Sequence, residues 1–181
     1  EQLINNFLLI DNKDFWIKNF PENDEKRNFQ IYKNLKIFLR HEVVLKLKNR
    51  YKEKFILVGD DWINYLSTAE KSTFNIKYIK KLYRGNICLD LGSVLGSTSL
   101  YTRSNQIIES GGLIIQNQQN DYHKIWSNSL NEILFKDLKS LFKLIDKLLL
   151  DQNFCNSKLN DISLNFKDNK KKIEQELINI F

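Results

Sequence analysis

The sequence predicts an α/β fold, an open parallel sheet with helices on both faces. Three observations carry that prediction. Short, continuously apolar runs recur along the chain, as strands buried on both faces require. Segments whose apolar residues recur at helical spacing lie between them. Residues 83–116 spell strand, glycine- and hydroxyl-rich loop, short helix, double glycine and strand, which is the order of a βαβ unit. A helix that starts at the carboxyl end of a parallel strand is an arrangement that Rossmann-like sheets share. With 181 residues the chain is about one domain long and can bury a full core.

Residues 1–30 read as an N-terminal lead-in, and 31–181 as the Rossmann-like domain. The lead-in holds two apolar runs, Phe7–Ile10 and Phe15–Ile17, and Pro21, the only proline, marks a break after them. Asn23 or Asp24 can cap a helix reaching about Tyr51, striped by Leu35, Leu39, Val43 and Leu47. Phe55–Val58 reads as a short buried strand, stopped by Gly59-Asp60-Asp61-Trp62, and 62–70 reads as helical. Phe74–Ile79 is taken as a second strand and Ile79–Arg84 as a short helix. Ile87–Leu91 is the third strand, Leu113–Gln116 the fourth and Ile133–Phe135 a brief fifth. Leu138, Leu141, Phe142, Ile145, Leu148 and Leu149 keep helical spacing, and Ile173, Leu177, Ile178 and Phe181 stripe a terminal helix.

Composition narrows the function classes. Hydrophobic content of 42% with 28% charge fits a soluble globular protein, and no apolar run approaches the ~20 residues of a membrane span. No basic region leads into an apolar one at the start, so a cytoplasmic protein is expected. The chain lacks any Met, which points to an excised piece of a longer protein or a processed start. The net charge of +6 admits a polyanion or anionic-lipid partner. Yet only Arg27, Arg40, Arg50, Arg84 and Arg103 are arginines, and the lysines are spread out except at Lys170–Lys172. Nucleic-acid readers lean on arginine forks and clustered patches. A solvated basic surface is therefore the reading taken. No specific nucleic acid is expected, and a peripheral membrane contact is left open. Cys88 and Cys155 are not spaced as metal ligands, and His41 and His123 lack a ligand set, so no metal is expected. Cys88 lies in an apolar run and reads as a small core residue rather than a nucleophile.

Residues 92–112 carry the candidate chemistry. Gly92 and Gly96 permit tight turns, while Ser97, Thr98, Ser99 and Thr102 supply hydroxyls and an N-cap for a helix over Thr102–Ser110. Gly111 suits the left-handed cap at that helix's end. Arg103, Gln106 and Glu109, three apart, form a stripe along one side. Arg103 stands in the first turn, where the helix dipole already disfavours a cation unless an anion offsets it. That anion is either a ligand, above all a phosphate, or a carboxylate of the chain such as Asp90. The loop matches neither the dinucleotide fingerprint nor the Walker loop.

Tyr83, Asn86-Ile87-Cys88-Leu89-Asp90, Arg103, Gly111-Gly112 and Leu113-Ile114-Ile115 stand in one order. That order resembles the C-terminal domain of GT-B glycosyltransferases, in the branch related to spore-maturation glycosyltransferases. Upstream, Phe55–Trp62 resembles that branch's strand-Gly-x-x-Trp element. Downstream, Ile125-Trp126, Phe135, Asp137 and the Leu138–Leu149 helix fall where the family has corresponding features. The likeness covers roughly 35–181 as a run of moderate matches.

The resemblance implies one half of a GT-B fold that binds a nucleotide-sugar donor, with no metal or other cofactor. It implies that Arg103 offsets the diphosphate charge, assisted by first-turn amides and by Ser97, Thr98 and Ser99. Gln106 stands where the family has a donor-contacting carboxylate, and Glu109 is a candidate substitute. Gly59 would let the base or ribose approach the first strand, whereas Trp62 reads as core. The family's acceptor site and catalytic base lie in a separate N-terminal Rossmann-like domain, the expected missing partner. No catalytic base is assigned; Asp60, Asp61 and Asp90 are unsupported candidates. The alternative is a non-catalytic binding or interaction module on the same fold that has lost the donor site.

Overall fold

The computed structural model describes residues 25–71, 75–91, 102–118 and 128–178. They fall into two compact units, one ending at Ile79 and the other beginning at Lys80.

The first unit is built on helix α1 (Glu25–Tyr51). Leu39, Val43 and Leu47 of the predicted stripe are buried, joined by Val44. The expected strand at Phe55–Val58 does not form: Val58 alone makes a parallel bridge, to Glu70. Four apolar residues in a row imitate a strand buried on both faces, but Ile56 is half exposed, so the run lacks that burial. After it, Asp60–Asn64 form a 3-10 turn in place of the expected helix over 62–70.

Helix α2 (Ile76–Tyr83) spans the boundary between the units and replaces the strand expected over Phe74–Ile79. Asn75 decides the matter. Its Oδ1 accepts from the backbone N–H of Lys77 at 3.0 Å and of Tyr78 at 3.2 Å, an N-cap that selects helix.

The second unit holds a parallel sheet of β1 (Ile87–Asp90), β2 (Leu113–Asn117) and β3 (Leu134–Phe135), in spatial order β1-β2-β3. Among the described residues this makes an α/β architecture with three strands and five α-helices. Helix α3 (Thr102–Glu109) connects β1 to β2, which pair Ile87 with Leu113 through Asp90 with Gln116. β2 lies in the middle, and its residues Leu113 to Gln116 are all buried, which explains the unbroken apolar run that precedes Gln116. Burying Ile114 and Ile115 contributes roughly 1.5–3 kcal/mol each. Both α3 and the last helix pack on β2, and helix α4 (Leu138–Leu150) packs on β3.

The predicted terminal helix is the tail of a much longer one, α5 (Gln152–Ile178). Its first half is rich in Asn, Ser and Asp, poor helix formers that hide the pattern. Asp151 Oδ1 accepts from Phe154 N–H at 2.9 Å and starts it. Lys158 of α5 is buried, with its Nζ 2.6 Å from Glu132 and 3.5 Å from Asp161. Burial would lower its pKa, but the hydrogen bond and charge of Glu132, with Asp161, outweigh it and raise the net value. Lys158 in turn holds Glu132 below the usual carboxylate range.

Candidate functional site

The site is assembled at the carboxyl ends of β1 and β2. Each strand is apolar for three residues and then polar: Ile87-Cys88-Leu89 leads to Asp90, and Leu113-Ile114-Ile115 leads to Gln116. The register sets these two polar residues side by side. Helix α3 brings Ser104 down onto them. Ser104 Oγ donates to Asp90 Oδ2 at 2.5 Å, and Gln116 Nε2 donates to the same oxygen at 3.1 Å. Gln116 Nε2 also lies 3.4 Å from Ser104 Oγ. All three residues are buried, Ser104 completely.

Arg103 is the neighbour of Ser104 in the first turn, and it is exposed. Among the described residues it has no hydrogen-bond or ion-pair partner. Asp90, the carboxylate that could have neutralised it, is instead turned to Ser104 and Gln116. Tyr83 is half-buried, and its phenol feels both charges. Burial raises its pKa most; Arg103 pulls it down, and Cys88 and Asp90 add to the rise.

The opposite end of the unit is closed by backbone. Gly111, at φ +78°, ends α3 in a Schellman turn: Gly112 N–H donates to Ile107 O at 3.0 Å, and Gly111 N–H to Ile108 O at 3.0 Å. This is the left-handed cap expected from the sequence. A Cβ on Gly112 would stand 2.8 Å from Tyr83 O and 3.2 Å from Cys88 Sγ. Gly112 therefore answers to close packing and Gly111 to the left-handed turn, both at the end remote from Arg103. Cys88 sits in this contact, and burial pushes its thiol up to about 12, in line with a core residue.

The other expected site residues are dispersed. Gln106 and Glu109 are exposed on α3, and the Gln106 carbonyl accepts from Ser110 Oγ at 2.6 Å. Ser97, Thr98 and Ser99 lie outside the described residues, as do Gly92, Gly96 and Ile125-Trp126. Gly59 belongs to the first unit, where its φ is +153° and a Cβ would meet Trp62 Cδ1 at 2.8 Å. The space freed by glycine there is filled by the indole. Trp62 also packs on His41 at 4.6 Å between ring centroids, consistent with a packing role. Asp60 and Asp61 lie in that first unit too.

Ser104 and Gln116 are not among the residues that the sequence singles out. Their signal was the shared change from apolar to polar at the last paired positions of two adjacent strands. Among the described residues no group of three or more His, Cys, Asp or Glu could hold a metal ion, and no helix is long and apolar enough to cross a membrane. No family model, curated protein or solved structure matches this chain. The resemblance to glycosyltransferases therefore rests on the residues quoted for it alone.

Proposed function

We propose that the βαβ unit is the donor-binding half of a GT-B-type glycosyltransferase, receiving the diphosphate of a nucleotide sugar at the start of α3. One observation carries the reading: Arg103 is exposed in the first turn without a described partner, although a carboxylate stands close by and is used elsewhere. An anion placed there satisfies the guanidinium and gains the amides and dipole of the helix start. Charge that grows on the leaving diphosphate as the sugar bond breaks is stabilised by the same fixed groups. Gln106, one turn on, presents an amide able to hydrogen-bond a sugar hydroxyl.

Calorimetric titration with UDP, GDP, ADP, dTDP and their sugar conjugates tests this. Saturable binding that Arg103→Ala weakens by ~1–3 kcal/mol, the range for a charged hydrogen bond, is the expected result. A folded protein that binds none of them rejects it. That outcome favours a non-catalytic module on the same fold, the reading motivated by Gln106 where the resemblance places a carboxylate.

A further inference from the structure

We propose that Asp90, Ser104 and Gln116 are positioning residues, a buried tie that fixes the first turn of α3 against β1 and β2 and so sets the direction of Arg103. The inference rests on the donor-site reading. Helix α3 is two turns long, and the glycine turn anchors its far end by backbone hydrogen bonds and close packing. At its near end the polar link to the strands runs through Ser104. Successive residues differ by about 100° around a helix, so pinning Ser104 inward rotates Arg103 toward the solvent edge.

The tie also decides what Asp90 does. Two donors, one from α3 and one from β2, converge on a single carboxylate oxygen. That geometry holds the carboxylate as a structural acceptor rather than as the partner of Arg103. Its negative charge, so close to an anion site, opposes the ligand. Asp90→Asn keeps an acceptor oxygen for both donors while removing the charge, so geometry and charge are separable.

Pyrophosphate serves as the probe, titrated against wild type, Ser104→Ala, Asp90→Asn, Arg103→Ala and the double variant Ser104→Ala/Arg103→Ala. Ser104→Ala is expected to weaken binding about tenfold, an effect that vanishes in the Arg103→Ala background because the two act as one unit. Asp90→Asn is expected to bind several-fold more tightly than wild type. Amide hydrogen exchange without ligand should quicken over residues 105–108, the first amides with acceptors inside α3, in Ser104→Ala and stay unchanged in α4. If Ser104→Ala does not fold, Gln116→Leu takes its place.

Equal affinity of Ser104→Ala and wild type overturns the tie, as does an equal loss with and without Arg103. Loss of affinity in Asp90→Asn equal to that in Ser104→Ala overturns it too, since charge would then be the operative property. A wild type that binds no pyrophosphate overturns the donor-site reading, and unchanged exchange in Ser104→Ala overturns the tie independently of that reading.

Discussion

Two helices of the second unit begin at the carboxyl ends of parallel strands, and they begin differently. Helix α4 follows β3 and is closed by its own side chains. Asp137 Oδ1 accepts from Ser140 N–H at 2.6 Å, and Ser140 Oγ accepts from Asp137 N–H at 3.1 Å, a reciprocal capping box. The anion that its dipole favours is thus supplied by the chain. Helix α3 follows β1, and its first turn carries a cation, Arg103, while the nearby carboxylate is buried beneath it. A helix whose start already holds an aspartate has little to offer an external anion. On the reading proposed above, α3, and not α4, is the start that receives a ligand. The far end of α3 is its glycine end, where backbone and close packing do the holding.

The largest effect is expected at that glycine end. Gly112→Val adds atoms where even a Cβ would stand 2.8 Å from the Tyr83 carbonyl and 3.0 Å from Ile107 Cγ2. Overpacking of this kind costs about 1–3 kcal/mol, and the bulkier side chain places it at the top of that range. Chemical denaturation measures it. Cys88, whose thiol burial pushes up to about 12, should be labelled by a thiol reagent faster in the variant than in wild type. A Gly112→Val protein as stable as wild type breaks the claim that α3 is anchored there.

Gly111→Ala should cost less, roughly 1–2 kcal/mol, because a left-handed backbone at φ +78° is strained for any residue with a Cβ although nothing lies within 4 Å to clash. The two neighbours thus separate steric from conformational cost.

Asp137→Ala tests the closed helix start and should cost about 1 kcal/mol. The backbone hydrogen bond from Ser140 and then the Ser140 side chain hold the Asp137 carboxyl below its ordinary range. A depressed folded-state pKa means that the contribution is present above the unfolded value, near 3.9, and is lost as pH falls through the folded value. The difference between wild type and Asp137→Ala should therefore shrink on acidification below about pH 4. A gap that stays constant into strong acid removes the ionised cap as its source.

Much of this contrast was legible in the residues. The order strand, helix, double glycine, strand placed β1, α3 and β2 within a residue or two, because burial on both faces leaves unbroken apolar runs and a left-handed turn calls for glycine. Arg103 stood out because it conflicts with the helix dipole. The tie beneath it was hidden, because Asp90 and Gln116 meet only through strand register, which a single segment does not display. Phe55–Val58 and Phe74–Ile79 misled for the opposite reason. Local apolar content imitates a strand, yet Ile56 is exposed, and the Asn75 cap turns the second run into helix.

Arg103→Ala gives the smallest expected change in stability and the sharpest test of the comparison. The side chain is exposed, without a described partner, and faces an unfavourable dipole. Its removal should leave the unfolding free energy within about 0.5 kcal/mol of wild type, with any shift toward greater stability. The same substitution should weaken diphosphate binding, so stability and binding move independently. Asp137→Ala should do the reverse, lowering stability and leaving diphosphate affinity unchanged. A loss of stability in Arg103→Ala as large as that in Asp137→Ala would make the arginine a structural brace. The two helix starts would then differ only in which residue closes them, and the argument for a ligand at α3 would fail.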